Sequence, residues 1–196
     1  MKPIFLGLLM AAALLALGCH RQTAAEGTTG LSEEKHQDLL VGYSMLADTL
    51  SDESKLGKLD VVKTLMLDAP NDAISKLMEK LSDASKQRGD ELSKLRRQAP
   101  DVSDKPTKES PVGDAIKEIA KDFGKDEMLS RKGGFDVRFV LVQAQATRMV
   151  AAMAKATARF DPNPERKAWL KELAAEYEGY RGDLIKYLGG QATTKE

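Results

Sequence analysis

Few side chains in this 196-residue chain combine the type and spacing that chemistry demands. Glu33 and His36 form its one Glu-x-x-His step. That spacing lets a single helical turn offer a carboxylate and an imidazole to a metal inside a bundle, but a complete centre needs a second such step and a glutamate from each of two further helices. The other histidine, His20, lies near the N-terminus. Glu33 and Glu34 also belong in a first helical turn simply because the helix dipole favours carboxylates there. No metal site is therefore predicted. The chain has no Gly-x-Ser-x-Gly turn, no P-loop and no Gly-x-Gly-x-x-Gly, so neither an activated nucleophile nor a nucleotide cradle is expected. The expectation is a protein that is not an enzyme and carries no cofactor.

Glu53, Ser85 and Arg88 interrupt otherwise apolar helical stripes. If the first two helices fold back on each other about Ala69, these three residues come level at mid-height and form a polar cluster. Two arrangements are open. Glu53 and Arg88 pair across the hairpin, or both point to solvent, which is the commoner fate of charged residues. Tyr177, Tyr180 and Tyr187 recur at helical spacing and read as core residues whose hydroxyls reach the rim. Met149 and Met153 read as gap-filling core rather than copper ligands. Gly179 and Gly182 suit close approach of another helix, of this chain or of a partner, and Trp169 is expected beside the last interhelical turn.

These residues need helices to position them. Phe135, Phe139, Val142, Ala146, Met149, Met153, Ala156 and Phe160 recur at alternating steps of four and three, the pattern of a helix facing its neighbours in a bundle. A strand would end within eight residues at a turn signal, whereas Gln143–Arg159 contains neither Gly nor Pro and is rich in Ala. Upstream, Ser32 offers an N-cap, and the stripe Leu39, Tyr43, Leu46, Leu50 predicts a helix. It either continues as one rod to about Leu67, the favoured reading, or breaks near Ser51–Gly57. Asp68-Ala69-Pro70-Asn71 marks a turn. A second helix carries Ile74, Met78, Leu81, Leu92 and Leu95, and Pro100 ends it. Residues 99–134 then form a long crossover, opening with three prolines and containing a short helix at Val112–Phe123. After Asp161-Pro162-Asn163-Pro164, with Asn163 as N-cap, the last helix carries Leu170, Leu173, Tyr177, Tyr180, Leu184 and Tyr187, and Gly189-Gly190 ends it. The expected fold is all-α: a four-helix bundle over residues 31–190 with a ferritin-like topology, which needs one long connection, followed by a tail, 191–196.

Thirty basic residues balance thirty acidic ones, and no basic stripe interleaved with aromatics appears. No nucleic-acid partner is expected. Residues 1–18 are a secretory signal by pattern: Lys2, then the apolar run Ile4–Leu17, too short to span a bilayer comfortably. The run ends Ala16-Leu17-Gly18-Cys19, and here the chain resembles bacterial lipoprotein precursors, in which a small residue precedes a cysteine that is acylated and becomes the first mature residue. The resemblance makes Cys19 the lipid attachment site. Cys19 is also the single cysteine, so no intramolecular disulfide can form. Residues 19–30 read as a flexible tether. In well-studied lipoproteins an Asp after the cysteine retains the protein in the inner membrane; His20 stands there, which implies the outer membrane.

Within Leu31–Leu188 the punctuation resembles a family of exported bacterial four-helix proteins, ferritin-like in topology and of unknown function. Glu53 precedes Leu56-Gly57-Lys58-Leu59, where that family has Glu before a Leu-Gly-Arg-Leu-like turn. Ile74, Leu77 and Leu81 precede Asp83-Ala84-Ser85, with Glu91-Leu92 after. Phe135-Asp136, Phe139 and Gln143 match the opening of its third helix. Where the family pattern places histidines, this chain has Ser85, Thr147 and Asp183. The resulting expectation is a lipid-anchored, non-enzymatic envelope protein with a structural, stress-related or interaction role, contacting the membrane through its acyl chains and an unidentified envelope protein. The alternative is a metal-binding ferritin-like protein with an atypical carboxylate site. A third reading is a carrier of apolar ligands along the tyrosine-lined seam.

Overall fold

Ser32 accepts a hydrogen bond from the Lys35 backbone N–H at 3.4 Å and so starts the first helix as an N-cap, with Glu33 and Glu34 in its first turn. A computed structural model of the chain describes residues 31–55, 72–106 and 134–193, and single positions between 114 and 126. The described residues form four helices and no strand: α1 Glu33–Glu53, α2 Asp72–Leu95, α3 Phe135–Phe160 and α4 Pro164–Thr193. None is long and apolar enough to cross a membrane. The signal segment, Cys19, the tether, the Asp68–Asn71 turn and the final residues 194–196 lie outside the described residues.

Two helix ends differ from the sequence expectation. α1 stops at Glu53, where Ser54 caps it by donating its N–H to Leu50 O at 3.0 Å. This is the break near Ser51–Gly57 and not the rod to Leu67; the residues beyond 55 on that stripe lie outside the described set. α4 continues through Gly189 and Gly190 to Thr193. Both glycines are exposed, so they weaken the helix only through propensity, about 1 kcal/mol each.

The apolar stripes of α1, α2 and α4 are buried much as their spacing predicts. Leu39, Leu46, Leu50, Ile74, Leu81, Leu92, Leu170, Leu173 and Leu184 are at most 2 % exposed; burial of such a side chain contributes roughly 1.5–3 kcal/mol. On α3 the expected seam is displaced. Phe139 is buried, but so are Val140, Gln143, Thr147, Val150, Ala151, Ala154, Thr157 and Ala158, whereas Ala156 and Phe160 are exposed and Val142, Ala146, Met149 and Met153 only half-buried. The helix is turned by about one residue from the heptad reading. The reason is a close approach: a Cβ on Gly42 of α1 would stand 2.7 Å from Thr157 Oγ1. Backbones that near leave space between them only for Ala, Thr and Val, and the bulkier side chains move to the flanks. In the crossover, Asp114, Ala115, Glu118, Ile119, Asp122 and Asp126 have helical backbone and are exposed; the other residues of the short helix expected at Val112–Phe123 lie outside the described residues.

Contacts fix the directions. Tyr43, midway along α1, bonds Asp161 just after α3, so the later half of α1 runs back along α3 past Thr157; Ser82 on α2 bonds Ser54 at the end of α1; Trp169, early in α4, bonds Glu91 late in α2. Each helix is therefore antiparallel to its neighbours, with α1 between α2 and α3, and α4 closing the ring. α2 and α3 therefore run parallel, and one long connection joins them in the sequence.

The first stretch of that connection is wound on itself. The Arg96 guanidinium donates to Val102 O at 2.8 Å and to Ser103 O and Asp104 O at 3.1 Å. Val102 is fully buried in the core formed with Tyr43 and Leu92. The proline-rich loop thus contributes a core side chain that its composition does not advertise. The Ala99–Pro100 peptide is cis.

Candidate functional site: a buried polar layer

The bundle interior is two apolar compartments rather than one. The larger holds Leu39–Leu50 of α1 with Val150–Ala158 and Trp169–Tyr177. The smaller holds Ile74, Met78, Leu81, Phe139, Val140 and Leu184. Buried polar residues lie between them: Glu53 (7 % exposed), Ser85 (0 %), Gln143 (4 %) and Thr147 (0 %).

The antiparallel register explains the layer. α1 and α3 meet where Gly42 faces Thr157; about three turns on, Glu53 reaches the level of Thr147. The Ser82 hydroxyl donates to Ser54 O at 2.7 Å, bringing the middle of α2 beside the end of α1. One turn further, the Ser85 hydroxyl meets the Tyr177 hydroxyl of α4 at 2.7 Å. Each helix contributes at least one polar side chain to this level. Thr147 donates within its own helix, to Gln143 O at 2.9 Å, so its proton is occupied while its oxygen can still accept.

Glu53 is buried but unpaired. Among the described residues its Oε2 has no hydrogen-bond partner, and neither has Gln143 Oε1. Burial first, and then the neighbouring charge of Asp52, push the Glu53 carboxyl from its ordinary 4.5 up to about 7. Burial likewise raises the Tyr177 hydroxyl; Ser85 opposes that shift and the Glu53 charge adds to it. The arrangement can store a proton or accept a positive charge.

Neither sequence reading of Glu53 and Arg88 holds. Arg88 does not reach Glu53: its Nε donates to Glu176 at 2.7 Å and its Nη1 to Glu91 at 2.7 Å. Its guanidinium lies 6.0 Å from the Trp169 ring centre, and the Trp169 indole N–H donates to the same Glu91 oxygen at 2.8 Å. Arg88 thus joins α2 to α4 on the outer side. Burial opposes, but the bonds from Trp169, Gln87 and Arg88 prevail and hold the Glu91 carboxyl below its usual value. Tyr180 completes this band by donating to Glu176 at 2.6 Å; burial, followed by that bond, pushes its hydroxyl up to about 12. Gly179 and Gly182 do not serve close packing among the described residues, since a Cβ on either meets nothing there within 4 Å.

A second constellation was not foreseen. Arg166 and Asp161 form an ion pair with both side chains 0 % exposed. Arg166 Nε and Nη2 donate to the two Asp161 oxygens at 2.9 and 3.0 Å, and Nη1 donates to Gln98 O at 2.7 Å and Pro100 O at 2.6 Å. The Tyr43 hydroxyl donates to Asp161, and the guanidinium stacks 5.6 Å from the Tyr43 ring centre. Asn163 Oδ1 accepts from Arg166 N at 3.0 Å as the expected N-cap, and its Nδ2 donates to Ala99 O at 2.9 Å. The signal was available: Arg166 stands four residues before Leu170 on the apolar stripe of α4, a position where a charge requires a buried partner.

Among the described residues no three His, Cys, Asp or Glu side chains gather as metal ligands would. Comparison of the chain with protein-family models, curated proteins and solved structures finds no match.

Proposed function

We propose that the chain is a lipid-anchored, non-enzymatic helical bundle of the bacterial envelope, tethered through Cys19 and facing the periplasm, with the outer membrane its expected home. The observation that carries the reading is the run Lys2, Ile4–Leu17, Gly18-Cys19, followed by a short polar stretch before a capped helix begins at Ser32. Two or more acyl chains on one residue anchor a protein stably without a membrane span. The neighbour relations of the four helices, with α2 parallel to α3, support a ferritin-like topology for the bundle.

A role through contacts rather than catalysis is supported by the burial of its polar centre. Glu53, Ser85, Gln143, Thr147 and Tyr177 are each less than a tenth exposed, so they present little polar surface to a substrate. The test is metabolic labelling with a radioactive fatty acid in a bacterial host. Label on the wild-type chain and membrane association, both abolished by Cys19→Ala, are expected. An unlabelled, freely soluble wild-type chain would overturn the anchor.

A further inference from the structure

The polar layer is short of positive charge. Glu53 Oε2 and Gln143 Oε1 are both buried acceptors without a donor. A buried polar atom without a partner calls for an explanation, of which a bound ion is one, and a buried carboxylate is far costlier to leave uncompensated than an amide oxygen. Among the described residues, the charged groups on the packed elements do not supply the compensation. Asp52 on α1 has the same sign. Arg88 on α2 is engaged by Glu91 and Glu176, the latter on α4. On α3, Arg138 lies five residues before Gln143, roughly 7–8 Å along the helix, and is engaged in interactions of its own.

We propose that this layer is a binding site for one monovalent cation, held by the Glu53 carboxylate, with Gln143 Oε1 and the Ser85, Thr147 and Tyr177 hydroxyl oxygens as neutral ligands. The oxygens on hand are those that hard cations prefer. The charge favours a monovalent ion: one carboxylate neutralises one positive charge, whereas a divalent ion would leave a net charge between two apolar compartments, where desolvation is expensive. The hydroxyls are suitably disposed. Thr147 directs its proton to Gln143 O and keeps its lone pairs, and in the Ser85–Tyr177 pair one hydroxyl donates to the other, leaving acceptor capacity on both. A proton on Glu53 competes with the cation for the same oxygen. The site is independent of how the chain is anchored.

The experiment is thermal unfolding of the full chain in detergent, followed by helical circular dichroism, at about pH 8 where the carboxyl is mostly ionised. Sodium, potassium, ammonium and choline chlorides are compared at equal ionic strength. A midpoint several degrees higher in one of the small cations than in choline is expected, because a ligand of the folded state alone stabilises it. The gain should vanish in Glu53→Gln and at about pH 5, where the proton takes the site. Tyr177→Phe, which keeps the charge but removes one oxygen, should shift the half-saturating cation concentration upward. Equal midpoints in all four salts would overturn the proposal and leave a proton as the sole occupant. A cation response that survives in Glu53→Gln would overturn it too.

Discussion

Arg166 and Asp161, five residues apart in sequence, form a bidentate ion pair that no solvent reaches. The pair does more than close the α3–α4 turn. Through Tyr43 it holds α1, and through Gln98 O and Pro100 O it holds the segment leaving α2. One guanidinium thereby ties three separate stretches of chain at one end of the bundle. The opposite arrangement stands at mid-height, where Glu53 has burial without a partner. The two sites illustrate the same rule from both sides: a buried charge is tolerable when its donors and acceptors are matched, and otherwise shifts towards its neutral form.

Arg166→Ala should be among the most destabilising single changes in the chain. Removing one member of a buried pair costs about 3–5 kcal/mol because the other is left charged and unpaired. Asp161→Ala should cost a similar amount, and the double variant clearly less than the sum of the two. Urea unfolding of the four proteins measures this; additive costs would mean that the groups do not act as a pair.

How much of this could be read from the sequence depends on what set each position. The helices of α2 and α4 were legible because Ile74, Met78, Leu81 and Leu170, Leu173, Leu184 are large apolar residues whose period alone fixes the buried face. α3 was legible as a helix but not in its rotation, since near the Gly42 contact its inner face is made of small residues, Ala151, Ala154, Thr157 and Ala158, set by the nearness of α1. No periodicity of large residues reveals that. Ser85 and Glu53 were singled out as interruptions and do share a level, but Arg88 was drawn outward by Glu91, Glu176 and Trp169, partners that only the placement of α4 makes available. The Arg166 clasp was missed because its other members, Tyr43 and Gln98, are far away in sequence.

The partner exchange at Arg88 is directly measurable. A double-mutant cycle on Arg88→Ala and Glu176→Ala should give a coupling of about 0.5–1 kcal/mol that weakens as salt is raised, as for a partly exposed pair. The same cycle with Glu53→Ala in place of Glu176→Ala should give no coupling outside error. A strong Glu53–Arg88 coupling would mean that the two helices sit in a different register.

Gly42 and Thr157 should show sign epistasis. In the wild-type background Gly42→Ala forces a methyl to 2.7 Å from Thr157 Oγ1, and overpacking of this sort costs about 1–3 kcal/mol. With Thr157→Ala already in place the nearest obstruction is gone. The same substitution should then stabilise by up to about 1 kcal/mol, the helix-propensity advantage of Ala over Gly. Denaturant midpoints of the four proteins decide it, and a destabilisation of equal size in both backgrounds would show that backbone and not Oγ1 sets the limit.

Glu53 makes stability depend on pH in the direction opposite to a salt-bridged carboxylate. Its carboxyl is raised from 4.5 to about 7 in the folded chain, so between those values the folded state holds a proton that the unfolded state has released. Stability therefore falls as pH rises through that window; below it both states are protonated and nothing is lost, and above it the full penalty stands. The size is on the order of 3 kcal/mol when no small cation is present. In choline buffer, Glu53→Gln should match wild type at about pH 4, exceed it progressively towards pH 8, and show a flatter profile, because the amide carries no charge at either end. Urea unfolding across that range measures the difference. In sodium or potassium the gap at high pH should narrow if the cation takes over the proton's place. A wild-type chain that instead gains stability from pH 5 to pH 8 relative to Glu53→Gln in choline would mean that Glu53 finds a positive partner within the protein.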